Sequence, residues 1–207
     1  MSEPLTVGFP HLRLLAAALD AALRDWHVFP LLPESTIPAL HDERSCPGAG
    51  PCAGGHLGWE ARSTVDPDRI TGAWTVGPYN VGIATGPSRL AVLDLDPSGE
   101  GSREDARDGA AALTALCEGA GHPVPATYQV RTAHGGLHLY FTVPTGTRLN
   151  SSCGGPLIPG VRVRAWGGYA VAPGSIAPAG VYHVVDGRDP VPLPDWLLRT
   201  LTSGVAA

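Results

Sequence analysis

Two carboxylates one residue apart close an apolar run in this chain, Leu90-Ala-Val-Leu-Asp-Leu-Asp-Pro97. Read as a strand, the run puts Leu90, Val92, Asp94 and Asp96 on one face and Ala91, Leu93 and Leu95 on the other. Side chains two residues apart on a strand sit about 6–7 Å apart, so both carboxylates can close on one or two divalent ions. Hard cations want oxygen ligands and neutralise a transferring phosphoryl group, so this spacing suits metal-assisted phosphoryl chemistry. Asp96-Pro-Ser-Gly99 equally suits a type I turn, with Asp first and Pro second. The stretch alone leaves both readings open.

A second set of chemical side chains falls between Pro38 and Trp59: His41, Cys46, Cys52 and His56, separated by four, five and three residues. A long loop without periodicity needs something to hold it. Zinc bound by two thiolates and two imidazoles would do so, and a closed four-ligand site is structural rather than catalytic. The other reading is two free or buried cysteines beside two surface histidines. The third candidate is His138, next to the Gly135-Gly136 turn, where an imidazole can hydrogen-bond a phosphate oxygen or simply serve the strand.

Charge is unevenly spread over the 207 residues, whose net charge is −5. All 14 basic side chains are Arg, and from Gly119 to Val185 there is no Asp or Glu while Arg131, Arg148, Arg162 and Arg164 occur. That segment is therefore +4, and the remainder, with 10 Arg against 19 acids, is −9. A basic half facing an acidic half suits a phosphate site. Four cysteines do not suggest a disulfide scaffold. No apolar run reaches membrane-span length and the N-terminus lacks a signal-peptide pattern, which points to the cytoplasm.

The elements that must position these groups read as follows. Pro10 to Trp26 is an amphipathic helix with Leu12, Leu15, Ala16, Leu19, Ala22, Leu23 and Trp26 towards the core. His27 to Leu32 is a strand. Asp66 caps a short helix that begins at Pro67 and runs to Trp74. Tyr79 to Gly86 is a strand expected to form a hairpin with the Asp94 strand, and Gly82 within it permits a close backbone approach. Ser102 to Glu118 is a helix with Ala106, Ala110, Leu113 and Leu116 on its apolar side and Cys117 in the core. Tyr128–Thr132 and Leu137–Val143 form a hairpin about Gly135-Gly136. Strands follow at Val161–Arg164, Gly168–Ala172 and Val181–Val185, then a helix from Pro194 to Leu201.

In this order the pieces resemble the bifunctional DNA primase/polymerase N-terminal domain of the archaeo-eukaryotic primase superfamily. The likeness rests on Trp26-His-Val-Phe-Pro, Asn80-Val-Gly-Ile-Ala-Thr-Gly, Leu93-Asp-Leu-Asp-Pro, Gly135-Gly-Leu-His-Leu-Tyr-Phe and Gly167-Gly-Tyr-Ala-Val-Ala-Pro-Gly-Ser175. It implies an α+β fold: an RRM-like antiparallel or mixed sheet with flanking helices, joined to a second α/β lobe, in one domain over 1–207. The 38–59 loop resembles the zinc-binding insertion of some actinobacterial members. By resemblance, Asp94 and Asp96 are the acidic pair for Mg²⁺ or Mn²⁺, and His138 contacts the incoming nucleotide's phosphates.

Where the family places its third metal-binding Asp, this chain has Arg162. A guanidinium cannot bind a cation and should repel one; it can instead pair with Asp94 or Asp96, at about 4 kcal/mol for unit charges 4 Å apart at an effective dielectric of about 20. Thr36-Ile-Pro38 stands for a Lys-x-Pro, and His134 for a small residue. Three functions are therefore expected as alternatives. One is a metal-dependent nucleotidyltransferase on DNA or RNA, with Asp94, Asp96 and His138 catalytic and nucleoside triphosphates held by Arg131, His134, His138, Arg162, Arg164 and Tyr169. Another is a nucleotide or nucleic-acid binder in which Arg162 replaces metal charge. The last is a zinc-stapled structural or regulatory module. Unwinding would need a separate helicase.

Overall fold

The computed structural model describes residues 10–97, 108–152, 158 and 160–203. In chain order the elements are α1 (Pro10–Leu23), β1 (Val28–Leu31), α2 (Trp59–Arg62), α3 (Pro67–Trp74), β2 (Asn80–Ala84), β3 (Leu90–Leu95), α4 (Gly109–Gly119), β4 (Tyr128–Arg131), β5 (Leu137–Thr142), β6 (Val161–Arg164), β7 (Tyr169–Val171), β8 (Ile176–Ala177), β9 (Gly180–Val181), β10 (His183–Asp186), β11 (Val191–Pro192) and α5 (Asp195–Ser203). The fold is α+β, as the sequence suggests. The remainder of the expected Asp96–Gly99 turn and the start of the helix expected from Ser102 lie outside the described residues.

The larger sheet has the order β10-β4-β5-β3-β6, antiparallel along that path, with β11 added parallel to β5 where β4 has run out. Its central strand is β3, whose alternation serves two cores. Leu90 and Val92 pack with α1, α3 and the smaller sheet β1-β2-β7. Ala91, Leu93 and Leu95 pack against Leu113 and Cys117 of α4 and Leu197 and Leu201 of α5. Burial on both faces leaves Asp94, towards the C-terminal end of the strand, as the position where the chain must find partners for a charge.

Several expectations hold in detail. Asp66 accepts hydrogen bonds from the Asp68 and Arg69 amides at 2.9 and 3.3 Å, with Pro67 opening α3. At Gly82 the close neighbour is the Phe29 ring rather than a backbone: a Cβ there would lie 2.5 Å from the nearest ring carbon. β4 and β5 form the expected hairpin.

Other expectations are corrected. β2 and β3 are not a hairpin: β2 lies between β1 and β7, β3 lies between β5 and β6, and the chain crosses from one sheet to the other at Thr85–Arg89. Ser88 fixes that crossing by accepting from the His27 amide at 2.8 Å and donating to the Ala84 carbonyl at 2.7 Å. The buried stripe of α1 is Leu14, Ala18 and Ala21, while Leu12 and Leu23 are exposed, because small alanines let the helix lie close. Ala110 of α4 is exposed, and Asp108 caps that helix. The late strand divides at buried Tyr182 into β9 and β10. Among the described residues, no helix is long and apolar enough to cross a membrane.

Candidate functional site

Strand register builds the site. Asp94 is paired with His138 across β5 and with Arg162 across β6, so the three side chains stand in one row. Directly opposed residues on antiparallel strands share a face with Cβ atoms about 5 Å apart. The next row puts Arg164 opposite Val92. Asp96 lies just past β3 yet is tied at its backbone: its amide donates to the Gly160 carbonyl at 2.8 Å and its carbonyl accepts from the Gly109 amide at 3.1 Å.

Every carboxylate oxygen in the cluster faces a cation or an imidazole. Arg162 Nη2 donates to both oxygens of Asp96, at 2.6 and 2.7 Å. Arg164 donates from Nε and Nη2 to Asp94 Oδ2, at 3.3 and 3.0 Å. His138 Nε2 lies 3.5 Å from Asp94 Oδ1. Burial alone would push the Asp94 carboxyl up, but the His138 ring and the Arg164 guanidinium outweigh it and hold the group well below the usual carboxylate range. The other ring nitrogen of His138, Nδ1, is buried without a hydrogen-bond partner. An unpaired buried polar atom is costly unless a ligand meets it.

These groups open onto a cavity of about 350 Å³ that is also lined by Thr36, Thr132, His134, Tyr169 and Tyr182. Tyr169 donates to the Thr36 carbonyl at 2.7 Å, closing one wall. Burial pushes the phenols of Tyr169 and Tyr182 up, so both stay neutral O–H groups. Of the residues singled out from sequence, Asp94, Asp96, His134, His138, Arg162, Arg164 and Tyr169 share this cavity. Arg131 does not line it and instead donates to the Gly135 carbonyl at 3.2 Å, bracing the hairpin turn. Sequence reasoning missed Thr132 and Tyr182; Thr36 carried a signal, as the first residue of the altered Lys-x-Pro.

The donor set does not fit a divalent cation in this arrangement. Asp96 is saturated by Arg162, and an ion bridging the two carboxylates would sit beside two guanidinium groups. A divalent charge about 4 Å from a unit positive charge is opposed by about 8 kcal/mol at an effective dielectric near 20. Arg162 would have to turn away first.

The other cluster lies in the loop between β1 and α2. The ligand atoms of His41, Cys46, Cys52 and His56 all lie within 4.8 Å of one another. His41 Nε2 is 3.4 Å from Cys52 Sγ, which also accepts the Leu57 amide at 3.4 Å. His56 Nδ1 is buried without a hydrogen-bond partner. Tetrahedral zinc spaces its sulfur and nitrogen ligands about 3.3–3.8 Å apart, so the group could hold that ion with a contraction of about 1 Å at its widest.

The family model for the bifunctional DNA primase/polymerase N-terminal domain covers residues 18–196. No curated protein matches the chain.

Proposed function

The chain belongs to the bifunctional DNA primase/polymerase N-terminal family, of primase/polymerase-type nucleotidyltransferases, and we propose that its cavity beside Asp94 takes the triphosphate of a nucleotide. The observation that carries this reading is the row His138–Asp94–Arg162, facing a cavity that a second arginine, Arg164, also lines. A triphosphate needs several fixed cations and donors. Arg162 and Arg164 supply guanidinium charge, and His134 and the Tyr182 hydroxyl supply donors, while His138 Nε2 is turned to Asp94. In this reading the guanidinium groups bring the charge that a metal would bring elsewhere, and the domain binds nucleotide without Mg²⁺ or Mn²⁺. The His41, Cys46, Cys52 and His56 cluster holds a structural zinc with no open position for chemistry.

A second reading is metal-dependent nucleotidyl transfer onto DNA, with Asp94 and Asp96 as ligands once Arg162 has turned outward. It is favoured by the 46% exposure of the Arg162 side chain and its place on the edge strand β6. Calorimetry with dATP and GTP, in EDTA and in Mn²⁺, separates the two. The first expects binding that persists in EDTA and weakens about tenfold or more in Arg162→Ala, the loss of one charge-assisted contact. The second expects binding only with Mn²⁺, lost in Asp94→Ala, together with incorporation of labelled nucleotide. Absence of binding at millimolar nucleotide in every condition rejects both.

A further inference from the structure

We infer that Trp59 and Glu60 are positioning residues that couple the loop of His41, Cys46, Cys52 and His56 to the nucleotide cavity. Zinc in the loop then tightens the hold on a nucleotide, and a nucleotide tightens the hold on zinc. The inference rests on the nucleotide and zinc readings above and adds the link between them. Both ends of the loop are fastened to the edge of β1 that β2 leaves open. The Ala39 amide donates to the Pro30 carbonyl at 2.9 Å, and Thr64 and Val28 exchange two backbone bonds of 2.9 Å.

From these ends the chain reaches the cavity wall at three points. At the entry, the Thr36 carbonyl accepts from the hydroxyl of Tyr169, which lines the cavity. At the exit, the Trp59 ring meets the Tyr169 ring edge-on at 5.1 Å, and Glu60 Oε1 accepts the Gly167 amide at 3.0 Å. Gly167 has a φ of 75° in the short turn between β6, which carries Arg162 and Arg164, and β7, which opens on Tyr169. The exit therefore braces the turn that joins the two arginines to the tyrosine wall.

Little besides the loop holds that exit. α2 has only four residues, none of them buried, and its N-cap Gly58 offers no side-chain bond. A helix this short has no stability of its own. His56 stands three residues before Trp59, and the Leu57 amide between them donates to Cys52 Sγ at 3.4 Å. An ion closing His41, Cys46, Cys52 and His56 fixes the chain immediately ahead of Trp59 and Glu60. Without it, both contacts must be made by a segment that first has to be ordered, and Tyr169 and Gly167 lose their brace. Two ligands that each favour the braced state assist one another, by the same factor in either direction.

The test uses the zinc-loaded full chain and the chain stripped by dialysis against a chelator, both free of Mg²⁺ and Mn²⁺. dATP affinity is read by calorimetry, and zinc affinity by competition with a chromogenic chelator. In the parent, stripping should weaken dATP binding about fivefold without abolishing it, and saturating dATP should raise zinc affinity by the same factor. Glu60→Ala should still take up one zinc but bind dATP no better loaded than stripped, and Trp59→Ala should behave alike. Glu60→Gln keeps an oxygen for the Gly167 amide and should keep the coupling. Zinc and dATP affinities independent within twofold in the parent, or full coupling in Glu60→Ala, overturn the inference and leave the nucleotide reading standing. Absence of dATP binding in both forms removes that reading and this inference with it. If the stripped chain does not fold, the loaded variants decide: dATP affinity should fall about fivefold in Glu60→Ala and stay near the parent's in Glu60→Gln, and equal affinities in the two overturn the coupling.

Discussion

Arg162 stands directly across the strand from Asp94, yet it gives its guanidinium to Asp96: Nη2 is 2.6 Å from Asp96 and Nη1 is 4.0 Å from Asp94. Asp94 is left to Arg164 and His138. The two carboxylates are thus separately neutralised, and any cation that would bridge them must break the Arg162 contact first. Family membership alone would not reveal this, because it depends on one side chain at the position where a third carboxylate is expected.

Replacing that side chain should change metal affinity. Arg162→Asp removes a repelling charge and adds an oxygen ligand, and Mn²⁺ should then bind at least tenfold more tightly by calorimetry. Unchanged affinity would show that Arg162 does not control access to the carboxylates.

Asp94 gives a pH signature. Its carboxyl is held below the ordinary value, so its contribution to stability is present above the unfolded pKa, about 4, and is lost as pH falls through the folded value. Urea unfolding of the parent should show stability falling below about pH 4. Asp94→Asn should flatten that limb while costing about 1–3 kcal/mol at neutral pH, because the arginine and histidine partners lose their carboxylate. An acid limb unchanged in the variant would assign it to other carboxylates.

The zinc proposal has a stoichiometric test. Metal analysis of the purified protein should find one zinc per chain, and Cys52→Ser should lose it and make the 38–59 loop sensitive to protease, since structural zinc supplies folding energy. Far less than one zinc in the parent ends the proposal.

Gly82→Ala tests how tightly the smaller sheet packs beside the cavity. The new methyl would meet the Phe29 ring, which stacks on Trp59 at 4.9 Å and meets Tyr169 edge-on at 5.4 Å. Overpacking of this kind costs about 1–3 kcal/mol, read as a lower urea midpoint. Because Tyr169 lines the cavity, nucleotide affinity should fall as well; loss of stability with affinity intact would separate the ring from the site.

What the sequence made legible follows from the range of the forces involved. The Asp66 cap, the Gly135-Gly136 hairpin and the two faces of β3 are set by neighbours within a few residues, and each stands as read. Seven of the side chains expected at the site meet in one cavity because strand alternation and motif order already placed them. The crossing between β2 and β3 was misread because a short turn between two apolar runs looks the same whether the runs pair or part; only the occupied edges of both sheets decide it. The α1 stripe was misread because leucines outweigh alanines on paper, whereas the contact with α3 favours the small side chains. Arg131 turns to the Gly135 carbonyl, since charge in an acid-free segment does not say which way a side chain points, and Tyr182 leaves no signal because its neighbours on either side are exposed valine and histidine.

The placement of β3 between two cores has a dynamic consequence. A strand buried on both faces and bonded on both edges opens only when much of the molecule opens, so its amides should be among the slowest to exchange with solvent. The carboxylates therefore sit on an anvil rather than a hinge. In the nucleotide reading, a ligand is admitted by rotation of Arg162 and its neighbours over a fixed floor, on the timescale of side-chain motion rather than of backbone rearrangement.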